Sequence, residues 1–256
     1  MDLKLTGKKA IVMGATRGIG RAIAETLAAE GCTLALCARN GEQVAERVAD
    51  FESQGVKAMG MAVDIADSNA LGAWVDRTAL DMDGLDILVS NAGAMAIGNS
   101  ADAWQRNMNV DILGAVAAVD AAMPHLKQSA SKTGDAAIIA IGSVSAVSAT
   151  EPSSYGAVKG ALIHYIKGVA KQAAGDHVRA NVVSPGTVYF EGGVWNMVEK
   201  DMPDLFKTTM ARNPMRRMAT PEDIANAATF LASPRSSFTT GINMIVDGAL
   251  TDRANY

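Results

Sequence analysis

The chain has 256 residues, of which 49% are hydrophobic and 20% charged, and its formal net charge is −4 at pH 7. This composition can form one well-buried core, and its scattered Lys and Arg argue against the concentrated basic surface that nucleic acid requires. We expect a soluble, cytoplasmic protein without membrane partners, because residues 1–9 lack the apolar core of a signal peptide and no apolar run reaches membrane-spanning length.

Short apolar runs of β type alternate along the chain with segments of helical period. The runs lack polar–apolar alternation, which predicts parallel strands covered by helices on both faces. We therefore predict an α/β, doubly wound Rossmann-type fold with a seven-stranded parallel sheet and right-handed crossovers. In chain order the predicted elements are strand 9–13, helix 18–30, strand 33–37, helix 41–54, strand 57–61, helix 68–80, strand 86–89, helix 102–129, strand 136–141, helix 153–174, strand 178–183, helix 221–232 and strand 243–246.

Nothing in the sequence divides this pattern into separate domains. No linker rich in Pro, Gly or Ser and no internal repeat interrupts it, so we expect residues 1–256 to form a single domain. The least regular stretch, residues 184–214, is too long for an ordinary connection, and long loops in compact domains often cover a site. Cys32 and Cys37 have an odd spacing within one apolar run, which predicts buried free thiols on opposite faces of a strand. We expect no metal site.

A glycine-rich turn joins the first predicted strand to the first predicted helix. Gly14, Gly18 and Gly20 follow a G-x-x-x-G-x-G spacing, which permits a tight turn and a close backbone approach to a pyrophosphate. The amides and the dipole of the following helix stabilise such an anion. In this strand–turn–helix context, the pattern predicts a bound nucleotide.

The end of the second predicted strand indicates which nucleotide is bound. NAD-binding proteins place a carboxylate there for the ribose 2′-hydroxyl, whereas arginine suits a 2′-phosphate. The strand ends at Ala38-Arg39-Asn40, without a carboxylate, so Arg39 could hold the phosphate with help from Arg17. We predict NADP(H) as cofactor. NAD(H), or two surface arginines without a ligand, are the alternatives.

Tyr155 and Lys159 are four residues apart on a predicted helix and therefore project from the same face. A free phenol ionises only at about pH 10, but a neighbouring ammonium stabilises the phenolate and prepares the two groups for acid–base catalysis. Ser143 follows the preceding strand at the carboxyl edge of the sheet, where doubly wound folds bind ligands. The three residues together predict an acid–base site beside the nucleotide.

Taken in order, these motifs resemble those of short-chain dehydrogenases/reductases, especially the compact 3-oxoacyl carrier-protein reductases. The resemblance covers nearly the whole chain, and its motifs are highly specific jointly, although each is ordinary separately. The matching positions are Gly14, Gly18, Gly20, Asp64, Ser90-Asn91-Ala92-Gly93, Ser143, Tyr155, Lys159, Asn181, Pro185-Gly186, Pro221-Glu222-Asp223 and Asp247-Gly248.

The resemblance implies hydride transfer between a nicotinamide and a ketone or secondary alcohol, in a dinucleotide-binding catalytic domain. Ser143 would hydrogen-bond the substrate oxygen, Tyr155 would give or take its proton, and Lys159 would bind the nicotinamide ribose. Asp64 would contact adenine and Asn91 would steady the central strand; a turn former and a local cap are the alternatives for these two. The cofactor-binding residues implied are Gly14, Thr16, Arg17, Gly18, Ile19, Gly20, Arg39, Asp64, Ile65, Asn91, Ala92, Gly93, Tyr155, Lys159, Pro185, Gly186 and Val188.

The chain departs from this family pattern at the position of a catalytic asparagine. In the family that Asn lies seven residues after a Trp and three before a Gly. Counting from Trp104 and back from Gly114 leads to Asp111 by both routes, not to Asn109. Because an aspartate adds negative charge near Lys159, we expect an active enzyme with a shifted pH optimum.

Two further departures concern the substrate and phosphate contacts. Ser143 lies twelve residues before Tyr155, whereas thirteen is usual in close relatives. A one-residue deletion in the loop explains the difference. Ser145 is a less favoured alternative for the catalytic serine. The threonine expected four residues after Pro185-Gly186 is Phe190, so rearranged phosphate contacts are expected there.

The substrate is not identified by the sequence. The apolar side chains of residues 184–214 indicate a lid over a substrate with an apolar body, but covering the core or a subunit interface explains them equally well. The cluster Arg212, Arg216 and Arg217 is interpreted as a solvated face, with an anion site as the alternative. The lid side chains are Tyr189, Phe190, Trp195, Met197, Met202, Phe206 and Met210.

Two other functions remain compatible with these motifs. A catalytically impaired nucleotide-binding regulatory protein could keep the fold without turnover, and dehydration or epimerisation on a bound nicotinamide is a third possibility. The resemblance also implies a homotetramer packed through helices 102–129 and 153–174. Small residues on these helices would allow close approach, namely Ala117, Ala118, Ala121, Gly160 and Gly168.

Overall fold

A seven-stranded sheet forms the centre of the computed structural model, which describes residues 1–148 and 151–252. All paired strands are parallel, and their order is β3-β2-β1-β4-β5-β6-β7. This arrangement confirms the predicted doubly wound fold. The strands are β1 (Lys9–Met13), β2 (Thr33–Ala38), β3 (Ala58–Ala62), β4 (Ile87–Ser90), β5 (Ala136–Ile141), β6 (Val178–Pro185) and β7 (Asn243–Val246).

Helices cover both faces of the sheet. They are α1 (Gly18–Ala29), α2 (Gly41–Ser53), α3 (Ser68–Asp81), α4 (Ala101–Asn107), α5 (Gly114–Thr133), α6 (Ser154–Ala173), α7 (Val194–Asp201), α8 (Pro203–Arg212) and α9 (Pro221–Ala232). Apolar residues of α3, α5 and α6 pack on one face, and those of α1, α2 and α9 on the other. Strands β1, β2, β4, β5 and β6 are largely buried because both of their faces are covered.

The two cysteines lie in opposite layers of this core. Cys37 belongs to the layer of α3, α5 and α6, and Cys32 to the layer of α1, α2 and α9. Both are free and buried, as predicted. Burial raises the pKa of each thiol to about 12. Within the described part of the chain, no helix is long and apolar enough to cross a membrane.

The helix predicted over residues 102–129 is not one regular α-helix. It consists of α4, a π-helical segment at Met108–Leu113, and α5, which continues to Thr133. Single π-helical turns shift the direction of the side chains that follow and are frequent at functional sites. Asp111 lies inside this segment, so the uniform helical period assumed from the sequence was wrong there.

Two other predictions need correction. Residues 184–214, predicted to be the least regular stretch, contain α7 and α8 and begin with the end of β6. The small-residue face proposed for subunit packing is partly internal, because Ala118 is fully buried in the core of this chain. Ala121, about one helical turn further along α5, faces α3. A β-carbon added to Gly72 of α3 would lie 3.9 Å from the β-carbon of Ala121.

The carboxyl ends of β1, β4, β5 and β6 meet at one edge of the sheet. The turns after these strands carry the glycine turn, Asn91, Ser143 and Gly186 respectively. Doubly wound sheets bind ligands outside the carboxyl ends of their strands. Sheet topology therefore gathers most of the predicted site residues at one edge.

Candidate active site

Tyr155 and Lys159 lie one turn apart near the start of α6, whose N-cap Ser153 accepts a hydrogen bond from the Gly156 amide (3.3 Å). Lys159 is buried, and its Nζ donates a 2.8 Å hydrogen bond to the carbonyl oxygen of Ile141 at the end of β5. Nζ lies 5.8 Å from the centre of the Tyr155 ring. The ammonium thus lies within cation–π distance of the Tyr155 ring.

Asp111 is buried beside Lys159. Its Oδ1 lies 2.9 Å from Nζ, and its Oδ2 accepts a 2.9 Å hydrogen bond from the Ala94 amide. This contact is an ion pair between two buried charges, and Oδ1 accepts no hydrogen bond from the described residues. The side chain of Asn109 instead accepts a hydrogen bond from Gln105 (2.7 Å). The structure thus brings Asp111, and not Asn109, to Lys159.

Ser143 and Tyr155 line the same cleft, which has a volume of about 240 Å³. Ser143 Oγ accepts a 3.1 Å hydrogen bond from the Ser145 amide, which leaves its own proton free to be donated to a substrate oxygen. Ser145 also lines the cleft, so both serines considered from the sequence reach it. The full lining is Met95, Ile97, Ser143, Val144, Ser145, Tyr155, Gly186, Thr187 and Trp195.

The glycine turn between β1 and α1 is packed too closely for larger residues at its glycine positions. Gly14 and Gly18 have φ values of +69° and +54°, and a β-carbon at Gly20 would lie 2.2 Å from the Gly14 carbonyl oxygen. Asn91 Nδ2 fixes the turn by donating to the carbonyl oxygens of Met13 (3.2 Å) and Gly14 (3.0 Å). The first turn of α1 has neither a side-chain cap nor an acidic residue. Its amides can therefore bind an anion, and the turn fits a dinucleotide pyrophosphate.

The other predicted cofactor residues follow the same edge of the sheet. Arg17 and Arg39 are exposed, and so is Asp64, whose Oδ1 accepts a 3.0 Å hydrogen bond from an amide of its own turn. Ile65 is different, because its side chain is buried against Gly114 and only its backbone can reach a ligand. Near the ends of β1, β4 and β6 lie Thr16, Ile19, Ala92, Gly93, Pro185, Gly186 and Val188.

A buried network that the sequence analysis missed supports the cleft. Asn107 donates to the Ala96 carbonyl oxygen (2.9 Å) and to Ser154 Oγ (3.0 Å), and its Oδ1 accepts from the Ala96 amide (3.1 Å). Ser154, which precedes Tyr155, donates in turn to the Gly98 carbonyl oxygen (2.9 Å). The network ties the loop after β4 to the start of α6. A buried Asn gives no local signal in a sequence because its partners are distant along the chain.

The arginine cluster lies away from the cleft. Arg212, Arg216 and Arg217 are all exposed, as expected for a solvated face. Arg217 forms an ion pair with Asp223, and this hydrogen bond holds the pKa of the Asp223 carboxyl below its usual value. Asp223 also completes a capping box with Thr220 at the start of α9. Among residues 1–148 and 151–252, no cluster of three His, Cys, Asp or Glu could hold a metal ion.

Known proteins match this chain over nearly its whole length. A family model described as enoyl-(acyl carrier protein) reductase matches residues 14–251. Isoepoxydon dehydrogenase of Penicillium expansum is 30% identical over 253 residues, which cover 96% of this chain and 95% of that protein. The 3-oxoacyl-[acyl-carrier-protein] reductase of Aquifex aeolicus is 31% identical over 259 residues, covering 98% and 100%. L-sorbose reductase from Gluconobacter frateurii, solved with NADPH and L-sorbose, has a TM-score of 0.89 at 29% identity and covers 99% of this chain and 100% of that one.

Proposed function

The chain belongs to the short-chain dehydrogenase/reductase family of oxidoreductases, and we propose that it transfers a hydride between NADP(H) and a ketone or secondary alcohol. One observation carries the proposal: a buried lysine ammonium lies 5.8 Å from the ring of Tyr155, which lines a cleft together with Ser143. This is the arrangement that proton transfer to or from a substrate oxygen requires.

The side chains divide the proton chemistry between them. In the direction of reduction, the Ser143 hydroxyl donates a hydrogen bond to the substrate carbonyl oxygen while the Tyr155 hydroxyl gives that oxygen its proton. The Lys159 ammonium, held by the Ile141 carbonyl oxygen, stabilises the phenolate that remains. Oxidation of an alcohol uses the same groups in reverse. A nicotinamide cofactor, when bound, supplies or accepts the hydride.

Arginines at the edge of the sheet support NADP(H) over NAD(H). Arg39 follows β2 and is exposed, and no carboxylate ends that strand. Asn40, the next residue, accepts a hydrogen bond from the Gln43 amide and caps α2. A planar guanidinium at this point suits a 2′-phosphate, and Arg17 in the glycine turn adds positive charge. L-sorbose reductase, which has the same fold, was solved with NADPH.

The cleft favours a compact, uncharged substrate. Among its lining residues Tyr155 alone is ionisable, and Met95, Ile97 and Trp195 supply apolar surface. Its volume of about 240 Å³ is below that of sites for drug-sized ligands. Trp195 lies on α7, and for this reason we assign residues 184–214 as a lid over the substrate within a single catalytic domain. A neutral ketone with a small apolar body fits these walls best.

The test is a screen of neutral ketones and secondary alcohols with NADPH and NADH, following nicotinamide absorbance. We expect turnover in the wild type, and a loss of at least about 100-fold in kcat/KM in Tyr155→Phe. Cofactor binding without turnover on a broad panel would favour the nucleotide-binding regulatory protein.

Preference for NADPH should fall when Arg39 is replaced by Ala. An unchanged preference would refute the role of Arg39.

We also propose that the protein acts in the cytoplasm as a homotetramer packed through α5 and α6. Gly168 on α6 is exposed with open space where a β-carbon would lie, so another chain can approach closely there. Light scattering tests the assembly, and a monomeric mass at micromolar concentration would refute it. Gly168→Trp should dissociate the tetramer if this surface is used.

A further inference from the structure

Phe190 covers the glycine turn. Its ring lies so close to Gly18 that a β-carbon added there would be 2.5 Å from Cζ and 2.8 Å from Cε2. A β-carbon added to Gly193 would be 2.9 Å from the same ring. The ring is therefore held between two glycines, one at the start of α1 and one at the start of α7.

The ring and a pyrophosphate compete for the same place. Gly18 is the first residue of α1, and the first-turn amides of that helix have no side-chain cap. Anions bind at such helix ends because the amides and the helix dipole converge there. An aromatic ring packed on the bare Cα of Gly18 covers this position and offers no hydrogen bond to a phosphate. A dinucleotide can reach these amides only if the ring moves away.

The backbone that carries Phe190 is tied to the lid. The Gly193 amide donates to the Phe190 carbonyl oxygen (3.0 Å), and the Gly192 amide donates to Asn196 Oδ1 (3.1 Å). Asn196, buried on α7, donates in turn to the Tyr189 hydroxyl (3.0 Å). On the other side, Arg17 Nη1 approaches the Gly192 carbonyl oxygen at 3.5 Å. These hydrogen bonds connect the backbone on both sides of the Phe190 ring to α7.

We propose that Phe190 is a gate on the pyrophosphate site. Its ring lies against Gly18 at the first turn of α1, and it swings off when a dinucleotide enters. The movement of its backbone shifts α7, and Trp195 on that helix lines the substrate cleft. Cofactor entry and the position of one cleft wall are coupled through this residue. The inference rests on the proposed use of a nicotinamide dinucleotide.

The test measures binding and needs no turnover. NADPH is titrated into the wild type, Phe190→Ala and Phe206→Ala, and association rates are followed by NADPH fluorescence. Phe206 is the matched control, because it is another lid aromatic that packs on Tyr189, with ring centres 5.9 Å apart. A second ligand, adenosine 2′-monophosphate, lacks the pyrophosphate and reports on the adenosine site alone.

We expect Phe190→Ala to bind NADPH about tenfold more tightly through faster association, since the apparent Kd equals the intrinsic Kd divided by the fraction of molecules in which the gate is open. Phe206→Ala should match the wild type, and adenosine 2′-monophosphate should bind all three proteins equally. Phe190→Leu, which keeps apolar bulk without a ring, should show a smaller gain and replaces the alanine variant if that one does not fold.

Several results would overturn the gate. Unchanged or weaker NADPH binding by Phe190→Ala and Phe190→Leu would mean that the ring does not obstruct the site. Equally tighter binding of adenosine 2′-monophosphate would indicate general loosening instead of a local gate. If neither wild type nor variants bind NADPH or NADH, the cofactor assignment fails along with the gate, whereas cofactor binding without the predicted gain refutes the gate alone.

Discussion

Replacing Asp111 by Asn should move the pH–rate profile toward lower pH. Oδ1 lies 2.9 Å from Lys159 Nζ, and Nζ lies 5.8 Å from the centre of the Tyr155 ring, so the carboxylate is at most about 8.7 Å from that ring. At an effective dielectric constant of about 20, a negative charge at this distance opposes the phenolate by about 2 kcal/mol. That energy corresponds to about 1.4 pH units. Screening around the half-buried Tyr155 reduces the expected shift to about one unit.

The direction in which the pH–rate profile moves depends on the role of Tyr155 in the reaction that is measured. In the proposed mechanism Tyr155 acts as the general base in alcohol oxidation, so removing an opposing negative charge should act on the acid limb of log kcat/KM against pH. Asp111→Asn removes the opposing charge and can keep the Ala94 hydrogen bond, so the limb moves to lower pH. Asp120→Asn is the matched control, because it removes an exposed carboxylate from α5. Superimposable profiles for wild type and Asp111→Asn, with a substrate from the screen, would refute the electrostatic argument.

Three other substitutions or treatments test the rest of the structure. Gly20→Ala should weaken NADPH binding by at least about tenfold, because the added carbon would lie 2.2 Å from a backbone oxygen of the turn. The control Gly175→Ala, at an exposed position with nothing within 4 Å of the added carbon, should bind normally. Arg179→Met should lower the free energy of unfolding in urea by about 3–5 kcal/mol, since it leaves Asp135 buried without its partner; a loss below about 1 kcal/mol would contradict this. The pKa of about 12 for the Cys37 thiol predicts no reaction with iodoacetamide at pH 8 until the protein unfolds, and stoichiometric labelling of the native protein would refute it.

Strands could be predicted from the sequence because their signal is local. Strands β1, β5 and β7 have the predicted bounds, since each is a short apolar run between turn residues. Their parallel arrangement also follows, because buried parallel strands lack polar–apolar alternation. The common sheet edge then brings Ser143 and Tyr155 to one cleft, with Lys159 buried beside Tyr155.

The rest of the site depends on contacts that no local pattern shows. The π-helical segment at Met108–Leu113 was missed because helical periodicity does not reveal a single widened turn. The bonds of Asn107 to Ala96 and Ser154 join positions 11 and 47 residues apart. The position of the Phe190 ring also depends on tertiary structure, because Gly18, which it contacts in space, is distant from it along the chain.

The departures from the family pattern bear on the alternative of an impaired regulatory protein. A protein that had abandoned turnover would be free to lose the acid–base groups, yet Ser143 and Tyr155 line one cleft and Lys159 Nζ lies 5.8 Å from the centre of the Tyr155 ring. The substitutions fall elsewhere: Asp111 lies behind Lys159, and Phe190 lies over the glycine turn. By the proposals above, the charge behind the lysine shifts the pH–rate profile, and the ring over the turn slows the entry of a dinucleotide. Neither substitution removes Ser143, Tyr155 or Lys159. The pattern therefore favours an active enzyme over an impaired regulatory protein.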